Sequence, residues 1–397
     1  MKTPLMSIRT LALLTPCFIP FSAALAQADT PWETELEAES VTVVTPLNNA
    51  DAPFDVAPML GEVSLIGTSE RVLENGVRLR ARGALRLQAD HPQRPGGTGD
   101  FGSAAFAATG AFSGLSAAAP VDQSDIRTRL ETAYFQIDGG YGELRLGKDQ
   151  GVGARFHEGT KSVLSHARLD STLLDPTGLS TIRTRHDLTG PSLKLSYASP
   201  RLLGLRGGIS YTPKADADGL DRRPKAGAGG IAPETENAIE LALNGTRRLR
   251  ESGWRFDVGV AWSTADVSSP SLLVPYNRVD TLSGGTRIEK DDWTFGASWL
   301  ESDNGLPDSD FVAWSVGLHR EAYDTEFSME FGQSEDDGAQ LDSQSFRIGA
   351  AREIADSTRI ALGYVTDWNE TLGQTWESRG VVVEITLSQK IVGITGN

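Results

Sequence analysis

The sequence predicts an all-β chain folded as a transmembrane antiparallel β-barrel of about sixteen strands, and three observations lead there. Apolar residues alternate with charged or small ones along many short segments, the period of a strand with two unlike faces. Short and long polar connections take turns along the chain. The third observation is export without cysteine in the mature chain, which calls for a closed sheet or a large core in place of disulfides.

Composition sets the limits first. The 397 residues carry 37 Lys+Arg against 53 Asp+Glu, a net charge of −16, which argues against a nucleic-acid binder because that would need a basic face. No stretch after the first thirty residues approaches the roughly 18 consecutive apolar residues of a spanning helix. Residues 1–26 read as a signal peptide: Lys2 and Arg9 without an acid, a mostly apolar Leu11–Leu25, and the small-x-small site Ala24-Leu25-Ala26. Cleavage is predicted before Gln27. It removes the single cysteine, Cys17, and two basic residues, leaving 371 residues of charge −18. Residues 27–58, acidic and proline-containing, are expected to be partly a mobile arm with a first strand within it, and residues 59–397 the barrel.

The first clear strand is Val77 to Gln88. Val77, Leu79, Ala81, Gly83, Leu85 and Leu87 share one face, and Arg78, Arg80, Arg82, Ala84, Arg86 and Gln88 the other. An arginine facing lipid at midplane would cost roughly 2–4 kcal/mol, so these arginines are placed inward, lining a water-filled lumen. Trp254, Phe256, Val258, Val260 and Trp262 form the cleanest row; its eight steps of ~3.3 Å span about 26 Å, close to a lipid-facing band after tilting. Further rows are Trp293, Phe295, Ala297 and Trp299; Phe327, Met329 and Phe331; Ile360, Leu362 and Tyr364; and Val383, Ile385 and Leu387.

Alternation alone fits a soluble sandwich equally well. Connections tip the balance. Short joints at Gly139–Gly142, Glu289–Asp292, Glu321–Asp324 and Ala355–Ser357 alternate with longer ones at Asp90–Asp125, Gln150–Ser180, Pro213–Glu234, Ala265–Thr281 and Asp367–Glu377. Outer-membrane barrels have this asymmetry of tight periplasmic turns and extended external loops.

Several motifs then resemble a known family. Tyr197-Ala198-Ser199-Pro200, Gly204-Leu205 and Ser210-Tyr211, preceded by Thr128-Arg129-Leu130, Ala133-Tyr134-Phe135 and Gly142-Glu143-Leu144-Arg145-Leu146-Gly147-Lys148, and by Ser64-Leu65-Ile66-Gly67 with Glu74-Asn75-Gly76-Val77, resemble the trimeric general porins of Gram-negative bacteria over about residues 60–212. The resemblance implies a sixteen-stranded barrel in a homotrimer, with a third loop folded into the lumen as a constriction whose acids face arginines on the wall. The acidic candidates are Glu158, Asp170 and Asp175 in a loop at Gln150–Ser180. The basic candidates are Arg80 and Arg82 on the third strand, Arg129 on the fourth, and Arg183 or Arg185 on the wall just after the loop. Rings of charge at a constriction set ion preference. For each residue an ordinary solvated lumen or loop charge is the alternative.

Three departures from the family pattern stand out. Glu62 occupies a position that is usually basic, the third loop lacks a Pro-Glu-Phe-Gly-Gly type of segment, and the chain ends Thr395-Gly396-Asn397, about ten residues after an expected last strand at Ser378–Leu387. The second loop, Gly96–Pro120, is rich in small residues with Phe101, Phe106 and Phe112, which suits either a flexible external loop or a contact with a neighbouring subunit.

The five histidines show no metal-ligand spacing, and no G-x-S-x-G elbow or phosphate loop occurs; no cofactor and no metal are implied. His157 with Glu158 is a neighbouring pair of the kind that barrel hydrolases could use, with solvated loop surface as the ordinary reading. The expected function is passive diffusion of small hydrophilic solutes and ions through a barrel in outer-membrane lipid, not an enzyme. The alternatives are a solute-selective channel, an outer-membrane barrel hydrolase or a secreted sandwich.

Overall fold

The computed structural model describes residues 31–51, 57–91, 108–116, 126–215, 233–269, 274–371 and 373–396. Among these, sixteen antiparallel strands close into one barrel, each bonded to its neighbours in sequence and β1 to β16. They are β1 (Trp32–Asp51), β2 (Met59–Val72), β3 (Arg78–Ala89), β4 (Arg127–Gly139), β5 (Gly142–Asp149), β6 (Ser192–Ala198), β7 (Leu205–Lys214) and β8 (Glu234–Arg248). The second half comprises β9 (Arg255–Ser268), β10 (Val279–Lys290), β11 (Trp293–Ser302), β12 (Phe311–Ala322), β13 (Thr325–Asp336), β14 (Leu341–Ala355), β15 (Thr358–Thr371) and β16 (Gln374–Gly396). One helical turn, α1 (Val152–Arg155), lies between β5 and β6.

Closure satisfies the sheet's backbone groups between strands, which is the condition for crossing hydrocarbon with strands. The expected faces are observed. On β9, Val258 and Val260 are 45% and 47% exposed, while Asp257 and Ala261 are 2% and 5% exposed. Leu85 and Leu87 point outward from β3, and Trp293, Phe295 and Trp299 from β11. The apolar rows do not meet one another across a sandwich.

Turns at one end are tight. Two residues join β12 to β13, Tyr323 and Asp324, both at φ 55°, as a type I′ turn requires. At the other end the connections are longer in the first half of the chain, but the expected long loop at Asp367–Glu377 is absent: β15 runs to Thr371 and β16 begins at Gln374. Asp367-Trp368-Asn369-Glu370 look loop-like because strand ends above the apolar band are polar on both faces. The residues after Leu387 are also strand, since β16 continues to Gly396 and this stretch pairs with Trp32–Glu39. Residues 27–58 thus hold β1.

β5 and β6 have only eight and seven residues. β5 covers β4 only from Ala133 to Gly139, leaving Arg127–Thr132 beyond its reach. The chain therefore leaves the sheet partway up the wall, and the next 42 residues, 150–191, turn into the barrel.

Candidate functional site: the lumen and its inward loop

The inward loop is a ribbon of two passes along the inner wall. On the outbound pass, Val152 N–H donates to Ser210 Oγ of β7 at 2.9 Å and Gly153 N–H to Glu240 Oε2 of β8 at 3.2 Å. Glu158 then reaches Arg287 of β10 at 3.3 Å, and Val163 N–H reaches Ser328 Oγ of β13 at 3.0 Å. The tip is held by Glu384 of β16, which accepts the N–H groups of Ser165, His166 and Ala167 at 2.8, 3.0 and 3.1 Å. His166 Nε2 lies 3.3 Å from Glu62 Oε1 on β2, so the departure at Glu62 provides a contact for the loop.

The return pass retraces the wall. Leu173 O accepts from Gln88 of β3, Thr181 donates to Ser343 of β14, and His186 sits between Ser283 of β10 and Ser263 of β9 at 2.9 and 2.8 Å. Thr189 Oγ1 donates to Glu240 Oε1 at 2.7 Å. One carboxylate, 1% exposed, thus holds both the beginning and the end of the loop.

The wall is built to receive the ribbon. The loop's own backbone lacks a sheet partner, and buried polar groups require one; inward serines and carboxylates supply it. The outbound backbone also runs so close to the strands that a Cβ at Gly259, Gly285 or Gly296 would fall on the carbonyl oxygens of Phe156, Glu158 and Gly159. Gly259 and Gly285 are directly paired, and Gly296 lies one step along on β11, opposite Arg287. Apolar loop residues seal the rest: Val163, Leu164, Ala167 and Leu174 pack with Val41, Val43, Leu60, Val365 and Val382 of the inner wall.

The second loop also folds inward in its described part. Phe112 is fully buried, 5.8 Å from the Phe311 ring, and lies under Arg183. The Tyr276 hydroxyl donates to Thr109 O at 2.8 Å, and burial pushes that phenol up to about 12. Phe101 and Phe106 lie outside the described residues.

The expected constriction residues separate into two groups. Asp175 is completely buried, and its carboxylate accepts the N–H groups of Thr177, Gly178 and Ser180, each at 3.0 Å. Asp170, 7% exposed, accepts Thr184 N–H at 2.8 Å and its hydroxyl at 2.7 Å. Both acids tie the loop to itself and do not present charge to water. Glu158 is spent on Arg287 and on Asn244 at 3.1 Å.

Of the arginines, Arg80 is bound to Glu70, with its Nε 2.8 Å away, and Arg129 faces inward opposite Arg86. Arg183 and Arg185 are not on the wall after the loop as expected; both belong to the return pass, because the loop extends beyond Ser180. Arg183 is buried against Phe112 and Asp187. Arg82 and Arg185 are half-buried and make no hydrogen bond or ion pair among the described residues.

The neighbouring wall is rich in ion pairs. Arg86 bridges Glu62 and Glu131 at 3.1 and 2.8 Å, Arg145 bridges Glu143 and Asp149 at 2.7 Å each, and Arg155 and Arg206 both meet Glu143. His157 and Glu158 do not form a catalytic pair. His157 faces Asp170 at 3.8 Å, and burial, aided by Arg185 and Arg168 and opposed by Asp170, pushes its imidazole down to about 4. His319, Glu321 and Glu326 bring potential metal ligands within 4.8 Å of one another. Lys161 at 2.8 Å and Arg359 at 2.8 Å already neutralise the two carboxylates.

The anchors Glu240, Glu384, Asp367 and His186 were not singled out by sequence reasoning. A signal existed for Glu384, an acid within the apolar run Val381-Val382-Val383-Glu384-Ile385. Asp367 meets Arg347 at 2.8 Å with both side chains sealed from solvent, but it looked like loop.

Comparison with known proteins agrees with this architecture. The family model for Gram-negative porins matches residues 20–372. Among solved structures, OprB of Pseudomonas putida is similar at a TM-score of 0.60 and 9% identity, covering 90% of this chain and 94% of that one. OmpF of Salmonella typhi, in complex with daunomycin, is similar at 0.59 and 12%, covering 90% and 97%. An anion-selective porin from Comamonas acidovorans is similar at 0.57 and 12%, covering 90% and 100%. A comparison with curated protein sequences finds no match.

Proposed function

We infer how this protein works from one premise: the chain belongs to the Gram-negative porins, and it is an outer-membrane channel. The observation that carries the mechanism is the barrel's inversion, apolar outside and polar inside, with a loop bonded along its inner wall. Small hydrophilic solutes and ions diffuse passively through the water left between the ribbon and the arginine-bearing wall of β2–β7, and size is sieved there. Residues 1–26 act as the export signal.

The constriction is biased toward anions. Asp170 and Asp175 are consumed by backbone N–H groups, whereas Arg82 and Arg185 keep unpaired charge. Fixed unpaired charge at a narrow aqueous passage attracts counter-ions. This reverses the preference that the net charge of −16 suggests, since that total includes acids outside the lumen.

The channel assembles as a homotrimer. The Trp, Phe and Tyr rows that face outward on β9–β15 are replaced on β1–β3 by aliphatic residues, Met59, Val63, Leu85 and Leu87 among them, interspersed with small ones at Thr34, Ala38, Ser40, Thr42, Gly61, Ala81 and Gly83. Small side chains let another subunit's backbone approach closely. Liposome swelling in neutral sugars of graded size tests the channel reading: rates should fall with solute size, and equal exclusion of all sugars would contradict it.

A further inference from the structure

On the outer surface of the barrel, four side chains stand in one lateral row across four strands. Trp314 of β12 is paired with Gln333 of β13, Gln333 with Gln344 of β14, and Gln344 with Trp368 of β15. Strands lie about 4.8 Å apart, so the two indoles are roughly 14 Å from each other. The indoles rise above the amides between them, leaving a cavity of about 350 Å³ that is also lined by Glu335 and Asp342. Trp314 is fixed by the Phe331 ring at 5.5 Å, edge to face.

Among the described residues, the Gln333, Gln344, Glu335 and Asp342 side chains make no hydrogen bond or ion pair. Glu335 and Asp342 are directly opposite each other, an arrangement that destabilises a sheet when nothing offsets it. The next row toward the tight turns, Phe331 and Phe346, begins the apolar band. The cavity therefore sits at the boundary between hydrocarbon and headgroups, at the end of the barrel that carries the longer loops.

We propose that this groove binds the saccharide headgroup of an outer-leaflet glycolipid. Aromatic faces suit the C–H faces of sugar rings, and two amides and two carboxylates suit hydroxyl donors and acceptors. The carboxylates disfavour a phosphate as the recognised group, and the polar floor disfavours an acyl chain. A row about 14 Å long accommodates two sugar rings. The site is separate from the lumen, and its level in the membrane rests on the porin reading.

The test is equilibrium dialysis of the full protein, in phosphatidylcholine nanodiscs, against a radiolabelled, deacylated lipopolysaccharide oligosaccharide. Saturable binding of one oligosaccharide per chain is expected, with affinity at least tenfold weaker in Gln333→Ala/Gln344→Ala and in Trp368→Ala. Absence of saturable binding overturns the proposal, as does equal binding by the variants. Competition by inorganic phosphate alone, or binding that vanishes without magnesium, also overturns it by making phosphate or a bridging cation the recognised group. Single-channel conductance of the same variants should match the parent, showing that they fold and separating failure of this site from failure of the channel reading.

Discussion

Glu384 accepts the backbone N–H of His166 at 3.0 Å, which joins the last strand of the barrel to the tip of the loop that narrows its lumen. The same carboxylate holds Ser165 and Ala167, so removing it leaves three backbone donors without their partner. Each buried unsatisfied group costs about 1–3 kcal/mol. Glu384→Ala should therefore free the tip and raise single-channel conductance. An unchanged conductance with a natively heat-modifiable barrel would show that the tip is held by other contacts.

The path of the outbound pass depends on bare backbone beneath it. Gly285→Val would place side-chain atoms where Glu158 O now lies, and the Gly285 backbone cannot yield without breaking the β9–β10 or β10–β11 pairing, so the loop must move. The expected result is a displaced loop, with uptake of larger sugars than the parent admits and a lower temperature of barrel unfolding. A variant that sieves like the parent would mean that the loop does not set the size limit.

Charge at the constriction separates two aspartates from one arginine. Arg82→Gln should shift the reversal potential in a salt gradient toward cation permeation. Asp175→Asn should leave it unmoved while destabilising the barrel by about 1–3 kcal/mol, because an amide cannot accept all three N–H groups. The opposite outcome, a selectivity change at Asp175 and none at Arg82, would return the acid to the aqueous passage.

Tyr276 gives a pH signature outside the strands. Its phenol is raised by burial to about 12, against about 10 when unfolded, so the folded state holds a proton that the unfolded chain has lost. Its stabilising contribution is complete below pH ~10 and disappears as pH rises through about 12. Absorbance at 295 nm should show one late-titrating tyrosine near pH 12, absent from Tyr276→Phe. If the substitution leaves the late step in place, another tyrosine produces it, and Tyr276 is not the phenol raised by burial.

Much of the barrel was legible in the sequence because its strands obey one rule, with a lipid face of large apolar residues at every second position. Trp254 to Trp262 states that rule plainly. Legibility failed where the rule lapses. Asp367 to Glu370 extend the strands beyond the apolar band and look like loop, while residues 388–396 lie past the expected last strand yet pair with β1. The inward loop was placed by resemblance, but its return pass was not foreseen. Its partners are single serines, glycines and carboxylates scattered over most of the strands, and no local pattern connects Glu240 to both Gly153 and Thr189. Arg183 was consequently assigned to a wall that the chain has not yet reached.

The central claim, that a barrel apolar outside encloses a water-filled passage, is tested most directly by recording the purified protein in a planar lipid bilayer. Stable stepwise openings are predicted, grouped in threes, with current proportional to salt concentration. A protein that is folded and inserted yet leaves the bilayer electrically silent at every voltage and salt concentration would contradict it.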